Sequence, residues 1–257
     1  METKIQVTKY VENILNKCVI IHLFNTNVKG KLPTNTSLHD GSEGHNLERL
    51  MGLKSNSKNE PDLLGYEMKT QTKSKITFVD KTPSKKYYKG TVINKKDKDT
   101  KKAFWNTFKR QNSKGIKIGG WKLNKYDPDG QCLCIDDNNN IKVLYQYKND
   151  KRSNKNELID NYYKNDKVHT IIEWLNIDIQ DAIDKKWNQS GFFICKKNNN
   201  NIYYKICFGN PINFEYWIEQ LKKENIYYDG YSDLYGRWRG SFRASNSWWY
   251  SHITEEY

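Results

Sequence analysis

The chain has 257 residues, 36% of them hydrophobic and 28% charged, and its 43 basic against 30 acidic residues give a net charge of +13. That length suffices for a full hydrophobic core but leaves two unrelated modules little room. No apolar run reaches the roughly 18 residues of a membrane helix, and Met1 to Lys17 lacks the form of a secretion leader, so a soluble intracellular protein with a polyanionic partner is expected.

In chain order, Ile5, Val7, Val11, Ile14 and Leu15 have near-helical spacing and predict a helix over 5–17, packed on the core and continuing through the apolar stretch 18–24. A polar loop follows at 25–40. Glycines at 41 and 44 then open a helix in which Leu47, Leu50 and Met51 form the buried stripe, Glu48 stands on its flank and Gly52 ends it. After a turn at 54–59, Pro61 leads into a strand over 62–70, with 76–79 expected to pair with it. A helix is expected over 99–111, then strands at 116–123, 131–136 and 141–148 separated by Asp-Pro-Asp-Gly and Asp-Asn-Asn-Asn turns. The Asn- and Lys-rich segment 149–166 reads as a mobile connection. Beyond it come a strand at 169–174, a short helix near 178–186, strands at 190–197 and 202–208, and a helix carrying Phe214, Trp217, Ile218 and Leu221. The tail from Ile226 is aromatic and rich in Gly, Ser and Arg. No internal repeat is found, and the fold class is α+β. Cys18, Cys132, Cys134, Cys195 and Cys207 lack a C-x-x-C pair and read as reduced, mostly buried thiols.

The chemistry concentrates at 62–69. Alternation along a strand projects Glu67 and Lys69 to one side while Met68 turns into the core. Asp62 and Glu67 can share one Mg²⁺ through carboxylate oxygens, Lys69 can place the attacking water or steady a phosphate, and Glu48 can orient Lys69 or support a second metal position. Acid-x-lysine triplets recur in this chain, so Glu67-Met68-Lys69 alone does not separate a site from a solvated strand face. A second signal is the distribution of arginine, confined to Arg49, Arg110, Arg152, Arg237, Arg239 and Arg243 in a chain that otherwise uses lysine. The guanidinium fork grips guanine or phosphate through two bonds, so Arg237, Arg239 and Arg243, with Ser245 and Asn246, are candidate DNA contacts.

The text around these residues, Gly44-His-Asn-Leu-Glu48-Arg-Leu-Met-Gly-Leu and then Asn56-Ser-Lys-Asn-Glu-Pro-Asp62-Leu-Leu-Gly-Tyr-Glu67-Met-Lys69-Thr, resembles the PD-(D/E)XK nucleases of the MutH-like branch, particularly type II restriction endonucleases of the MvaI, BcnI and Sau3AI kind. The match is close over 41–72. The stretch from Tyr228 to Asn246 is similar to the Arg/Gly-rich terminal segment of the MvaI and BcnI type, and 80–225 aligns with nothing. The resemblance implies a restriction-endonuclease-like mixed sheet flanked by helices, with a catalytic lobe over 1–150 and a C-terminal recognition lobe over 151–257 around a DNA cleft. It also implies Mg²⁺-dependent, sequence-specific cleavage of double-stranded DNA to 5′-phosphate ends. A monomer in a bacterial cytoplasm with a cognate DNA methyltransferase as genetic partner completes the expectation. Some members present a histidine from the terminal region, for which His252 is the candidate, and His45 is placed to touch backbone phosphate. The spacer between Asp62 and Glu67 is shorter than in MutH, which favours the restriction side. Three alternatives stay open: a MutH-type nicking enzyme of mismatch repair, a non-catalytic sequence-specific DNA-binding protein, and a nonspecific basic RNA-binding or structural protein.

Overall fold

The structure, a computed structural model, describes residues 2–33, 42–54, 59–72, 74–112, 115–117, 120–230 and 240–257. Its elements in chain order are α1 (Glu2–Asn27), α2 (Ser42–Leu50), β1 (Tyr66–Thr70), β2 (Lys75–Val79), β3 (Lys85–Tyr88), β4 (Thr91–Val92), α3 (Lys98–Phe108), β5 (Arg110–Asn112), β6 (Gly115–Lys117), β7 (Asp129–Ile135), β8 (Ile141–Asp150), α4 (Lys155–Leu158), a 3-10 turn (Asn161–Tyr163), β9 (His169–Trp174), α5 (Asn176–Trp187), β10 (Gly191–Lys197), β11 (Tyr203–Gly209), α6 (Phe214–Lys222), β12 (Ile226–Asp229), β13 (Ser241–Ser245), α7 (Asn246–Ser251) and β14 (Ile253–Glu256). The expected α+β class is what is found. By its contacts the chain forms two compact units, one comprising Met1–Ile76, Ile183–Asn213 and Ser245–Tyr257, the other Thr77–Ala182 and Phe214–Ala244. Each unit is assembled from stretches distant in sequence.

In the first unit a mixed sheet runs in the order β1-β10-β11-β14. β1 pairs parallel with β10, placing Tyr66 opposite Gly191 and Glu67 opposite Phe192. The pairing expected between 66–70 and 76–79 does not form, since β2 joins β12 and β13 in a separate three-stranded sheet. One face of the β1-β10-β11 sheet, with Tyr66, Met68, Phe193, Cys195 and Phe208, packs against Leu47 and Met51 near α2 and against Ile20, Phe24 and Val28 of α1 and its end. Two polar ties fix these helices, Tyr66 OH donating to Asn13 Oδ1 at 2.6 Å and Lys197 paired with Glu43 at 2.7 Å. The helix expected at 5–17 is the front of α1, but Val7, Val11, Ile14 and Leu15 are exposed rather than packed. Helical spacing identifies residues that share a stripe; it does not say which part of a long helix reaches the core.

In the second unit an antiparallel sheet runs β4-β3-β9-β8-β7. Buried Trp174, Tyr228 and Phe242 meet with ring centroids 4.9–5.7 Å apart, and Trp217 joins Phe242 at 5.1 Å, so part of the aromatic tail is core. The segment 149–166 is not the mobile connection its composition suggested. Ile159 and Tyr163 are buried within it, and Asp150 grips Arg152 at 2.6 Å. Burial pushes the Tyr163 hydroxyl well above its ordinary range. The cysteines carry free thiols, Cys132, Cys195 and Cys207 buried and Cys18 exposed.

Candidate active site

The site is built from a tight reversal ahead of β1. Leu63 and Tyr66 form an antiparallel bridge with backbone hydrogen bonds in both directions, 3.0 and 2.9 Å, around Leu64 (φ 50°) and Gly65 (φ 81°). Two consecutive positive φ angles are what a two-residue hairpin of the primed type requires. The strand expected over 62–70 therefore starts at Tyr66, and Asp62 folds back beside it. Asp62 Oδ2 accepts from the backbone N–H of Met68 at 2.9 Å. This dual use predicts a separation: Asp62→Ala loses about 1–2 kcal/mol of stability in urea unfolding, Asp62→Asn keeps an acceptor and loses less than about 0.5, and both cleave DNA at least about 100-fold more slowly. Equal stability losses in the two variants would refute the anchoring role.

Glu67 and Lys69 occupy the other face of β1, opposite Met68. That face is no open surface. The side chain of Glu67 is 1% exposed, and register sets it beside Phe192. Phe192, Trp187 and Trp249, all fully buried, lie with ring centroids 5.1–6.2 Å apart. Trp249 is fastened by its indole N–H to the carbonyl of Ile76 at 3.3 Å. Lys69 Nζ donates to Glu67 Oε1 at 2.6 Å and sits 5.2 Å from the centre of the Trp187 ring. A second ammonium, Lys186 at the end of α5, lies 3.1 Å from the same oxygen. Burial raises the Glu67 carboxyl above its ordinary value, opposed by Lys69 and Lys186 and assisted by the charge of Asp62. Asp62, Glu67 and Lys69 are thus gathered as the spacing implied. Lys186 escaped the sequence reading because nothing distinguishes it among neighbouring lysines. Its only signal is that helix 176–187 ends just before a strand.

The remaining candidates are placed as follows. Glu48 stands on α2, which packs beside β1, and its Oε2 is 3.3 Å from His45 Nδ1, joining two of the proposed residues to each other. Arg237 and Arg239 lie outside the described residues. Arg243 on β13 faces Asp229, with Nε 3.5 Å from Oδ2. Asn246 donates to the carbonyl of Thr72 at 2.8 Å, and its own N–H bonds Ser74 O at 3.0 Å, fastening the segment after β1 to the start of α7. His252 stacks on Trp248 at 3.9 Å, with Nδ1 2.7 Å from the Trp248 carbonyl. The packing role of a lone histidine is the one this geometry displays.

The donor set suits a hard divalent cation. Among the described residues Glu67 Oε2 is buried with no hydrogen-bond partner, a costly state for a carboxylate oxygen unless a cation meets it. Among those residues no group of three or more His, Cys, Asp or Glu converges. Two carboxylates without a cysteine or histidine beside them match the habit of a hard, oxygen-bound divalent cation rather than that of zinc.

The chain is similar to known restriction endonucleases. A family model described as LlaMI restriction endonuclease matches residues 27–257. The type II restriction enzyme ScrFI of Lactococcus lactis subsp. cremoris is 32% identical over 274 residues, covering 93% of this chain and 98% of that enzyme. Among solved structures, the complex of restriction endonuclease MvaI with its cognate DNA substrate superposes with a TM-score of 0.60 at 14% identity, over 96% of this chain and 97% of that one. At that identity the likeness is one of fold. Among the described residues no helix is long and apolar enough to cross a membrane.

Proposed function

The chain belongs to the LlaMI restriction endonuclease family and is a site-specific deoxyribonuclease; from that premise we propose that it cuts both strands of double-stranded DNA at a short specific sequence, using Mg²⁺ held by Asp62 and Glu67. The observation that carries this reading is the partnerless Glu67 Oε2, buried beside Asp62 and two lysines. When bound, the cation would neutralise charge on the scissile phosphate and favour ionisation of water. The protein's own part is positional. The turn at Leu64–Gly65 fixes Asp62 against Met68, the aromatic floor of Trp187, Phe192 and Trp249 keeps bulk water from the inner side of Glu67, and Lys69 holds the attacking water or a phosphate oxygen in line. Glu48, supported by His45, would steady that arrangement from α2.

For DNA contact the candidates remain Arg237, Arg239, Arg243, Asn246, His45 and His252, as base or phosphate ligands. Arg243 would exchange Asp229 for DNA, Asn246 would contact it only by giving up its bond to Thr72, and His252 by giving up its bond to Trp248. A net charge of +13 supports a polyanion as partner, and the solved MvaI structure is itself a complex with cognate DNA. Monomeric action, a cognate methyltransferase and a cytoplasmic setting belong to the same proposal.

The test is digestion of a plasmid of known sequence by the purified chain with Mg²⁺, followed by sequencing of the ends. Double-strand cuts at fixed positions, abolished by EDTA, are expected. Nicks confined to one strand would transfer the reading to a MutH-type enzyme, and sequence-specific binding without cleavage to a non-catalytic DNA-binding protein.

A further inference from the structure

We propose that Lys186 is a positioning residue, the standing counter-charge of Glu67, whose presence allows Lys69 to turn from Glu67 toward the attacking water or the scissile phosphate; this rests on the nuclease reading above. Two ammonium groups converge on one oxygen, Lys69 at 2.6 Å and Lys186 at 3.1 Å from Glu67 Oε1, while Oε2 has no hydrogen-bond partner among the described residues. Two lysines serving only to neutralise the carboxylate would be expected to divide between its two oxygens, each of which can accept. Their convergence instead keeps one oxygen for a cation and makes one lysine redundant for holding the other.

The redundancy falls on Lys69. A carboxylate 1% exposed that loses its sole counter-charge is strongly disfavoured, so with Lys69 alone the Glu67–Lys69 pair would be locked. Lys186 removes that constraint. It is supplied by the end of α5, next to Trp187, which is buried against Phe192 and Trp249. Lys69 by contrast rides the strand that carries Glu67, is 18% exposed, and where it stands is also held by the Trp187 ring, 5.2 Å away, so Glu67 is not its one attraction.

The charge count gives the test its sign. Asp62 and Glu67 against Lys69 and Lys186 sum to zero before any ion enters, so removing the Lys186 charge should make the site a stronger cation binder and a poorer catalyst. Lys186→Gln keeps a neutral donor for Oε1. In thermal unfolding of the DNA-free protein its half-saturating Mg²⁺ should fall by about tenfold. Its single-turnover cleavage of a plasmid that the wild type cuts should slow by about 100-fold at saturating Mg²⁺, with affinity for a fragment of that plasmid in Ca²⁺ unchanged. Lys186→Arg, which restores the charge, should return both Mg²⁺ affinity and rate to within about fivefold of wild type. Wild-type cleavage by Lys186→Gln, or slower cleavage together with weaker Mg²⁺ binding, overturns the proposal. Should the glutamine variant fail to fold, Lys186→Arg decides: near-wild-type cleavage supports the proposal, and a folded, inactive protein overturns it. A wild type that neither cuts DNA with Mg²⁺ nor shifts its unfolding with Mg²⁺ would refute the nuclease reading itself, an outcome distinct from any of these.

Discussion

Glu67→Gln should leave a folded, DNA-binding protein whose cleavage is slower by at least about a thousandfold. The two shapes are nearly identical, so the Phe192 neighbour and the β1–β10 register have no reason to change. What disappears is the negative charge aimed away from the lysines at the partnerless oxygen. Stability should move by no more than about 2 kcal/mol, because two opposing effects are removed together. The buried charge no longer has to be desolvated, and Lys69 and Lys186 lose an ionic partner but keep side chains 18% and 21% exposed. Single-turnover plasmid cleavage, filter binding in Ca²⁺ and urea unfolding check the three parts. A variant that retains a tenth of the wild-type rate would remove Glu67 from the chemistry.

The largest loss of stability is expected from Gly191→Ala. Gly191 opens β10 opposite Tyr66, at φ +113°, where a Cβ would lie 2.2 Å from the carbonyl oxygen of Gly209 and 3.0 Å from the carbonyl carbon of Asn210. Both obstacles are backbone, so no side chain can rotate aside. Strain at that φ and the overlap with the chain together cost on the order of 4 kcal/mol, a large share of the 5–15 kcal/mol that typically holds a domain together. β10 is the strand between β1 and β11, so the displacement would also carry Phe192 away from Glu67 and reduce cleavage. Urea unfolding with an unchanged midpoint would show that the close approach of Gly191 to Gly209 is not as described.

What could be read from the residues was whatever lies close together in the chain. Asp62, Glu67 and Lys69 were legible as one cluster because eight consecutive positions hold all three, and the helix carrying Glu48 followed from the spacing of Leu47, Leu50 and Met51. The turn between Asp62 and Glu67 was not, since Leu64-Gly65 lacks the Asn-Gly or Asp-Gly signal of such hairpins. Strand partners were not legible either. A parallel pair such as β1 and β10 is separated by more than a hundred residues, and nothing local in Tyr66–Thr70 names its neighbour. Lys186 was hidden for the same reason. Composition misled at 149–166, where abundant Asn and Lys concealed two anchors, Ile159 and Tyr163, each nearly without exposure. It misled in the opposite sense along α1, where Val7, Val11, Ile14 and Leu15 are exposed.

Trp249 lies far beyond Glu67 in sequence, yet it forms part of the floor on which Trp187 and Phe192 rest. During synthesis the acidic pair near residue 65 leaves the ribosome long before that last indole exists. A polypeptide released early therefore carries the acids without their completed setting.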